Sequence, residues 1–148
     1  MTKLLRHEHL LVQARVKKPI SDEAIAKQWM IDLVEKVGMV VAAGPIASYV
    51  STPGNTGITA AICLQTSHAA MHVWDEVSPA LVQFDIYSCS CIDLDIVWAH
   101  MAVMEPDTIE YKFLDRENGF KLISEGTKMF GLNGVGPDNN GSSGTAVS

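Results

Sequence analysis

The chain has 148 residues, 47% of them hydrophobic, and a formal net charge of −6. This length fits one domain with its own core, and the acidic balance argues against a nucleic-acid-binding protein, because phosphate recognition needs clustered Lys and Arg. No apolar run approaches the roughly 20 residues that span a bilayer. Residues 1–13 lack the apolar core of a signal peptide. We therefore expect a cytoplasmic protein with no membrane or nucleic-acid partner.

The first third of the chain predicts a strand, a helix and a second strand. Residues 9–17 alternate as a strand does, and Ser21 is the predicted N-cap of the helix that follows. The apolar side chains of this helix recur every three or four residues and predict one face against a core: Ile25, Trp29, Met30, Leu33, Val34 and Val37. Gly38 ends the helix. Residues 39–50 then form an apolar run of small side chains suited to a strand.

The rest of the chain predicts three further strands and one more helix. Residues 51–57 have the composition of a loop, and residues 58–65 are an apolar run typical of a buried strand. Residues 81–90 form the next strand, and Asp93 is suited to cap a second helix. Residues 108–114 alternate as a half-buried strand.

Together these elements predict an α+β fold of about five strands and two helices. Strands that follow one another favour an antiparallel sheet, so we expect a two-layer sandwich with two helices packed on one face of the sheet. Residues 1–132 form this single domain. From residue 133 to residue 148 the chain is rich in Gly, Asn, Ser and Asp and predicts a flexible polar tail.

The candidate functional residues lie between residues 66 and 89. Ser67 and His68 are followed by His72, and a strand that begins near residue 81 leads to Cys89. A hydroxyl, two imidazoles and a thiol on neighbouring strands provide a nucleophile, a proton shuttle and an acid. These residues therefore predict a reacting site at a strand end.

The Ser-His-x-x-x-His-x-Trp-x-Glu pattern at 67–76 and the Asp-x-x-x-Cys pattern at 85–89 resemble those of the prokaryotic S-adenosylmethionine decarboxylases. The order of predicted elements from residue 9 to residue 113 is also similar to that family. The resemblance implies a carboxy-lyase, most directly one that decarboxylates S-adenosylmethionine for polyamine (spermidine) biosynthesis. It also implies a small amino-acid-type substrate and a homodimer, and the short chain fits a site shared between subunits.

The resemblance further implies a pyruvoyl cofactor derived from Ser67. Decarboxylation of an α-amino acid leaves a carbanion that needs an electron sink, which no side chain provides. In the family, autocatalytic serinolysis supplies the pyruvoyl group, and here it would cleave between Thr66 and Ser67. Thr59 stands where the family usually has a serine that assists processing. Lys27 and Lys36 have no Gly-rich phosphate loop beside them, which disfavours pyridoxal phosphate.

Three more roles follow from the same resemblance. His72 matches the histidine that abstracts a proton during processing, Cys89 matches the cysteine that reprotonates the product at Cα, and Glu76 matches the carboxylate that binds the substrate's ribose. The chain departs from the family in having Thr66 where glutamate is common. The loop that usually carries an adenine-stacking aromatic offers only Tyr49, which is out of register.

Other interpretations remain open from the residues alone. The altered pocket permits a pyruvoyl-dependent decarboxylase of ornithine or arginine, and a regulatory homologue that keeps the fold without processing itself is a further alternative.

We expect no metal site, because the Cys89-x-Cys91 spacing differs from that of structural zinc sites. We expect Cys63 to be a small buried hydrophobic residue and no disulfide to form.

Overall fold

A computed structural model describes residues 6–130 of the chain, and the predicted tail at 133–148 lies outside them. The described part has seven strands, two helices and one short 3-10 turn: β1 (Glu8–Val16), α1 (Glu23–Lys36), β2 (Val41–Val50), β3 (Gly57–Leu64), β4 (Ser67–Trp74), β5 (Ala80–Ser88), α2 (Leu94–Met101), the 3-10 turn (Ala102–Met104), β6 (Pro106–Asp115) and β7 (Lys121–Met129). The strands form one antiparallel sheet in the order β2-β3-β4-β5-β1-β6-β7.

Both helices pack on one face of this sheet, which confirms the predicted α+β two-layer sandwich. The Trp29 ring of α1 meets Phe84 of β5 edge-on with centroids 5.5 Å apart, and Trp98 of α2 lies 5.0 Å from Tyr111 of β6. The central strands turn alternate residues toward this layer, as in β1: Leu10, Val12, Ala14 and Val16 are all buried. No helix within residues 6–130 is long and apolar enough to cross a membrane.

The sheet has seven strands rather than about five. The segment that carries Ser67 is the full strand β4, because only two residues separate it from β3 and the hairpin continues the pairing. Strand β7 pairs with β6 at one sheet edge, and every residue from Lys121 to Met129 is exposed or half-exposed. Such a strand buries neither face, so it lacks the alternation that predicts strands from sequence.

Helix α1 begins one residue later than predicted. Asp22, and not Ser21, is the N-cap, and its Oδ1 accepts a hydrogen bond from Ile25 N at 2.9 Å. Ile25 also falls outside the predicted core face, since it is 59% exposed. The buried positions of the helix are Ala26, Trp29, Met30, Leu33 and Val34.

The two helices are joined through His100, near the end of α2. The Trp29 indole donates a hydrogen bond to His100 O at 3.2 Å, and His100 Nε2 donates one back to Trp29 O at 2.8 Å. Lys36 Nζ donates to His100 Nδ1 at 3.3 Å, which fixes a neutral imidazole between the helices. Burial lowers the pKa of His100 below its ordinary value.

The second face of the sheet, called the open face below, is covered by neither helix. It carries the other alternate residues of the strands and exposes apolar side chains: Ile46 of β2 is 69% exposed and Leu11 of β1 is 39% exposed. Cys63 of β3 is exposed as well, so the expectation that it is buried is wrong. Its strand is buried on the helix face only, and Cys63 pairs with His68 on the other.

Candidate active site

The proposed cleavage point lies in the tight turn between β3 and β4. Leu64 pairs with Ser67 across the hairpin, which leaves Gln65 and Thr66 as the two turn residues. Thr66 has a φ of +66°, a left-handed conformation that a β-branched residue adopts only at a cost of about 1–3 kcal/mol. The backbone is therefore strained at the residue that precedes Ser67.

The Ser67 hydroxyl is buried, and its Oγ has no hydrogen-bond partner within the described chain. An unpaired buried hydroxyl is unfavourable, so it usually marks a group with a chemical role or an absent partner. Cys89 reaches the same turn from the end of β5, where its Sγ lies 3.9 Å from Gln65 O. Thr66, Ser67 and Cys89 thus form one cluster, here called the cleavage cluster.

A buried glutamate, which the motif does not indicate, holds the segment that carries Cys89. Glu8 is 5% exposed, and its Oε1 accepts a hydrogen bond from Ile92 N at 2.9 Å. On the next strand, the buried Ser88 Oγ donates to Ser90 O at 2.8 Å and accepts from Ser90 N at 3.0 Å. The sequence signal that could have identified Glu8 is a charged residue at an inward-facing position of the alternating β1 pattern.

Thr59 and His72 form a second cluster on the open face. They are direct partners across the β3–β4 ladder, and Thr59 Oγ1 is hydrogen-bonded to His72 Nδ1 at 3.1 Å. The Trp74 ring lies 6.2 Å from the His72 ring, and its Nε1 donates to Asn55 Oδ1 at 2.7 Å. The imidazole thus has a hydroxyl on one nitrogen and an aromatic ring beside it.

Glu76 lies at the same end of β4 as this second cluster. Its Oε2 accepts a hydrogen bond from Gly54 N at 3.2 Å, in the loop between β2 and β3. That backbone donor lowers the pKa of Glu76, so the side chain is a carboxylate at neutral pH. Glu76 is therefore able to accept hydrogen bonds from substrate hydroxyls. Thr59, His72 and Glu76 are called the acceptor cluster below.

A single chain does not bring the two clusters together. Ser67 and His72 are five residues apart on the extended strand β4, which separates their Cα atoms by about 16 Å. Proton transfer needs donor and acceptor within hydrogen-bond reach. Within one subunit, therefore, neither Thr59 nor His72 is able to act on the Thr66–Ser67 bond.

Comparison with known proteins agrees with this arrangement of elements. A family model described as S-adenosylmethionine decarboxylase matches residues 8–117, which is more than half of the chain. The chain belongs to the S-adenosylmethionine decarboxylase family. The family makes it a decarboxylase, that is, a carboxy-lyase.

This decarboxylase also has a relative among the solved structures. The crystal structure of the adenosylmethionine decarboxylase from Aquifex aeolicus VF5 superimposes with a TM-score of 0.60 and 17% sequence identity, covering 76% of this chain and 91% of that one. At this identity the match supports the fold. A search of curated proteins found no match.

Tyr49, the one aromatic near the predicted adenine-binding loop, does not face the acceptor cluster of this decarboxylase. It pairs with Ile58, whose side chain is buried on the helix face, and packs against the core from that side. Its hydroxyl donates to Asp75 Oδ2 at 2.9 Å, which raises the pKa of the phenol. Trp74, whose ring lies 6.2 Å from that of His72, is instead the aromatic beside this cluster on the open face.

A groove of about 520 Å³ crosses the open face next to His72. Its walls come from β4, β5, β1, β6 and β7, and three of its lining residues are carboxylates: Asp85, Glu110 and Glu125. Glu125 is paired with Lys112, whose Nζ lies 3.4 Å from its Oε1. The groove is therefore large enough for a small substrate and is acidic on balance.

Proposed function

We propose that this enzyme decarboxylates S-adenosylmethionine with a pyruvoyl group made from its own Ser67. The observation that carries the proposal is a strained turn, with φ +66° at Thr66, directly before a buried and unpaired serine hydroxyl. Strain at the scissile peptide and a free nucleophile are what self-cleavage requires. The product would feed aminopropyl groups to spermidine biosynthesis.

The maturation follows from these two residues. Ser67 Oγ attacks the carbonyl carbon of Thr66, the C–N bond breaks, and the amide becomes an ester with a free amine on residue 67. A base removes the α-proton of residue 67, and the Cβ–Oγ bond breaks by β-elimination. One fragment then ends at the Thr66 carboxylate, while hydrolysis of the other releases ammonia and leaves a pyruvoyl N-terminus.

The remaining site residues are assigned by what they offer chemically. The pyruvoyl group supplies the electron sink for loss of carbon dioxide. Cys89, whose sulfur lies 3.9 Å from Gln65 O in the turn, delivers the proton to Cα of the product. His72, hydrogen-bonded to Thr59, is the base of the elimination step, and the Glu76 carboxylate binds the ribose hydroxyls.

We further propose that each site is built from two chains of a homodimer. Within one chain the Cα atoms of Ser67 and His72 are about 16 Å apart, which is too far for proton transfer. A complete site therefore combines the cleavage cluster of one chain with the acceptor cluster of its partner. The two open faces pack on each other, which covers Ile46 and Leu11. Ser67 lies on the helix face of β4, in line with the buried Ala69 and Met71, so the partner's acceptor cluster reaches it around the β3–β4 turn at the end of the sheet. Small side chains at Ala61 and Ala70, which pair between the two clusters, allow close approach of the sheets.

The groove supports a second candidate substrate class, the basic amino acids ornithine and arginine. Asp85, Glu110 and Glu125 line it, and they provide acceptors for a distal cation. Trp74 instead favours a nucleoside, because an aromatic ring stacks on adenine. Release of carbon dioxide from S-adenosylmethionine, ornithine and arginine, each supplied separately to the purified protein, distinguishes these substrates.

Intact-mass analysis of the purified chain tests the maturation. We expect two fragments divided between Thr66 and Ser67, with the larger fragment blocked at its N-terminus, and a single uncleaved chain for Ser67→Ala. One species of about 16.1 kDa from the unaltered sequence would favour a homologue that does not process itself, and would overturn the proposal.

A further inference from the structure

A third group of polar side chains lies on the open face, and the decarboxylation of S-adenosylmethionine proposed above uses none of them; Asp85 alone also lines the groove. His9 of β1 and His68 of β4 both pair with Tyr87 of β5, the strand between them, so the two imidazoles flank one residue. Asp85, two residues before Tyr87, points to the same face. His9 Nε2 lies 2.8 Å from Asp85 Oδ2, and His68 Nε2 lies 3.7 Å from the same oxygen.

The three ligand-type atoms converge on one point. All of them lie within 4.8 Å of one another. A zinc ion with bonds of 2.0–2.2 Å in tetrahedral geometry holds its ligand atoms about 3.4 Å apart. The separations of the two imidazole nitrogens from Asp85 Oδ2, 2.8 and 3.7 Å, lie on either side of that value. Changes of about 0.6 and 0.3 Å would bring these two separations to the tetrahedral value, and the two imidazole nitrogens, which lie within 4.8 Å of each other, would close by up to about 1.4 Å.

We propose that His9, His68 and Asp85 bind a divalent metal ion of the zinc class. Imidazole nitrogen and carboxylate oxygen are ligands that zinc takes readily, and three protein ligands leave a fourth position for water or another oxygen donor. The side chains are partly accessible, with 17% of His9, 48% of His68 and 29% of Asp85 exposed. The ligands come from three different strands, which is why no short sequence motif indicates them.

Hydrogen bonding alone accounts for only part of this cluster. His9 donates to Asp85 Oδ2 at 2.8 Å, a normal hydrogen-bond length. His68 Nε2, at 3.7 Å, is beyond hydrogen-bond range of the same oxygen. The Tyr87 ring, with centroids 5.9 Å from His9 and 5.6 Å from His68, packs against both imidazoles and keeps them near the carboxylate. A metal ion gives the second imidazole a partner.

The test measures metal binding and does not depend on activity. The full-length protein, made without a histidine tag, is stripped with a chelator and titrated with Zn²⁺ by calorimetry and with Co²⁺ by visible absorption. We expect one ion per chain and the d–d bands of a tetrahedral cobalt site. His68→Gln and Asp85→Asn should each weaken binding about 10-fold or more, while circular dichroism verifies that both variants are folded.

Matched controls remove other metal-binding side chains from the same protein. His100→Gln deletes an imidazole in the helix layer, and Cys63→Ser and Cys91→Ser delete two exposed thiols. Binding should be unchanged in all three variants. The proposal is overturned if the unaltered protein binds no stoichiometric ion, if His68→Gln binds as tightly as the parent, or if only the cysteine variants lose the metal. The exposed position of His68 makes His68→Gln the variant best able to fold.

Discussion

Thr59 allows the sharpest test of a single hydroxyl. Its Oγ1 is hydrogen-bonded to His72 Nδ1 at 3.1 Å and has no role in the core. Because a positioned hydrogen bond of this kind contributes about 100-fold or more to a catalysed step, Thr59→Ala should slow self-cleavage by about that factor. Thr59→Ser keeps the hydroxyl and should cleave at nearly the parental rate. Gel electrophoresis measures the cleavage half-time of each variant. Equal half-times for Thr59→Ala and Thr59→Ser would show that the Thr59 hydroxyl does not assist cleavage.

Cys89 should act after maturation and not during it. Cys89→Ala is therefore expected to cleave normally but to turn over about 100-fold more slowly, since the proton donor for Cα is lost. Misplaced protonation converts the cofactor to alanine, so the large fragment should become readable by Edman degradation as turnover proceeds. Cys91→Ala, two residues away and exposed, is the matched control and should behave like the parent. A Cys89→Ala protein that keeps its blocked N-terminus and full rate would contradict the assignment.

The motif residues could be selected from the sequence and their roles stay predictions, whereas the residues that support them could not be selected. Ser67, His72 and Cys89 lie in two short patterns whose spacing can be read along the chain. Glu8 and Asp85 act through contacts with segments about 80 residues away in sequence, at Ile92 and His9. The spacing of the motif also does not reveal that Ser67 and His72 lie on one continuous strand, Ser67 as its first residue and His72 as its sixth.

At the level of helices, the contact between α1 and α2 predicts a pH dependence of stability. Burial lowers the pKa of His100 in the folded chain, while the unfolded chain binds that proton near the ordinary value of about 6.5. Between these two pKa values the unfolded state holds more protons, so stability falls as the pH drops below about 6.5. His100→Gln retains a donor for Trp29 O and should reduce the fall in Tm between pH 7 and pH 5. Parallel Tm curves for the two proteins would show that His100 does not contribute.

Most of the secondary structure was predictable where one face of an element is buried, although β4, with buried Ala69, Met71 and Val73, was not predicted as a separate strand. Alternation identified β1 and β6, and the three- and four-residue repeat identified α1. Strand β7 could not be predicted because neither of its faces is buried. The start of α1 was misplaced by one residue because Ser21 and Asp22 are both good caps, and only the structure shows that Asp22 accepts from Ile25 N.

At the level of the whole molecule, dimerisation through the open face is the main expectation. Ile46 on that face is 69% exposed, and Ile25 on α1 is 59% exposed on the opposite side of the protein. A buried, unpaired charge is costly, so Ile46→Glu should weaken the dimer about 100-fold or more and also suppress self-cleavage. Ile25→Glu should leave both unchanged. Light scattering measures the oligomeric state of each variant, and a gel of the same samples measures self-cleavage. An Ile46→Glu protein that is dimeric and fully cleaved would show that the open face is not the interface.

Complementation between two inactive chains tests the composite pyruvoyl site most directly. Ser67→Ala lacks the nucleophile and His72→Ala lacks the base, and neither should cleave when expressed alone. When the two are co-expressed, half of the dimers are mixed and one of the two sites in each is intact, so about a quarter of all chains should be cleaved. Cleavage near that fraction is the predicted result. No cleavage in dimers verified to be mixed would contradict a site shared between subunits.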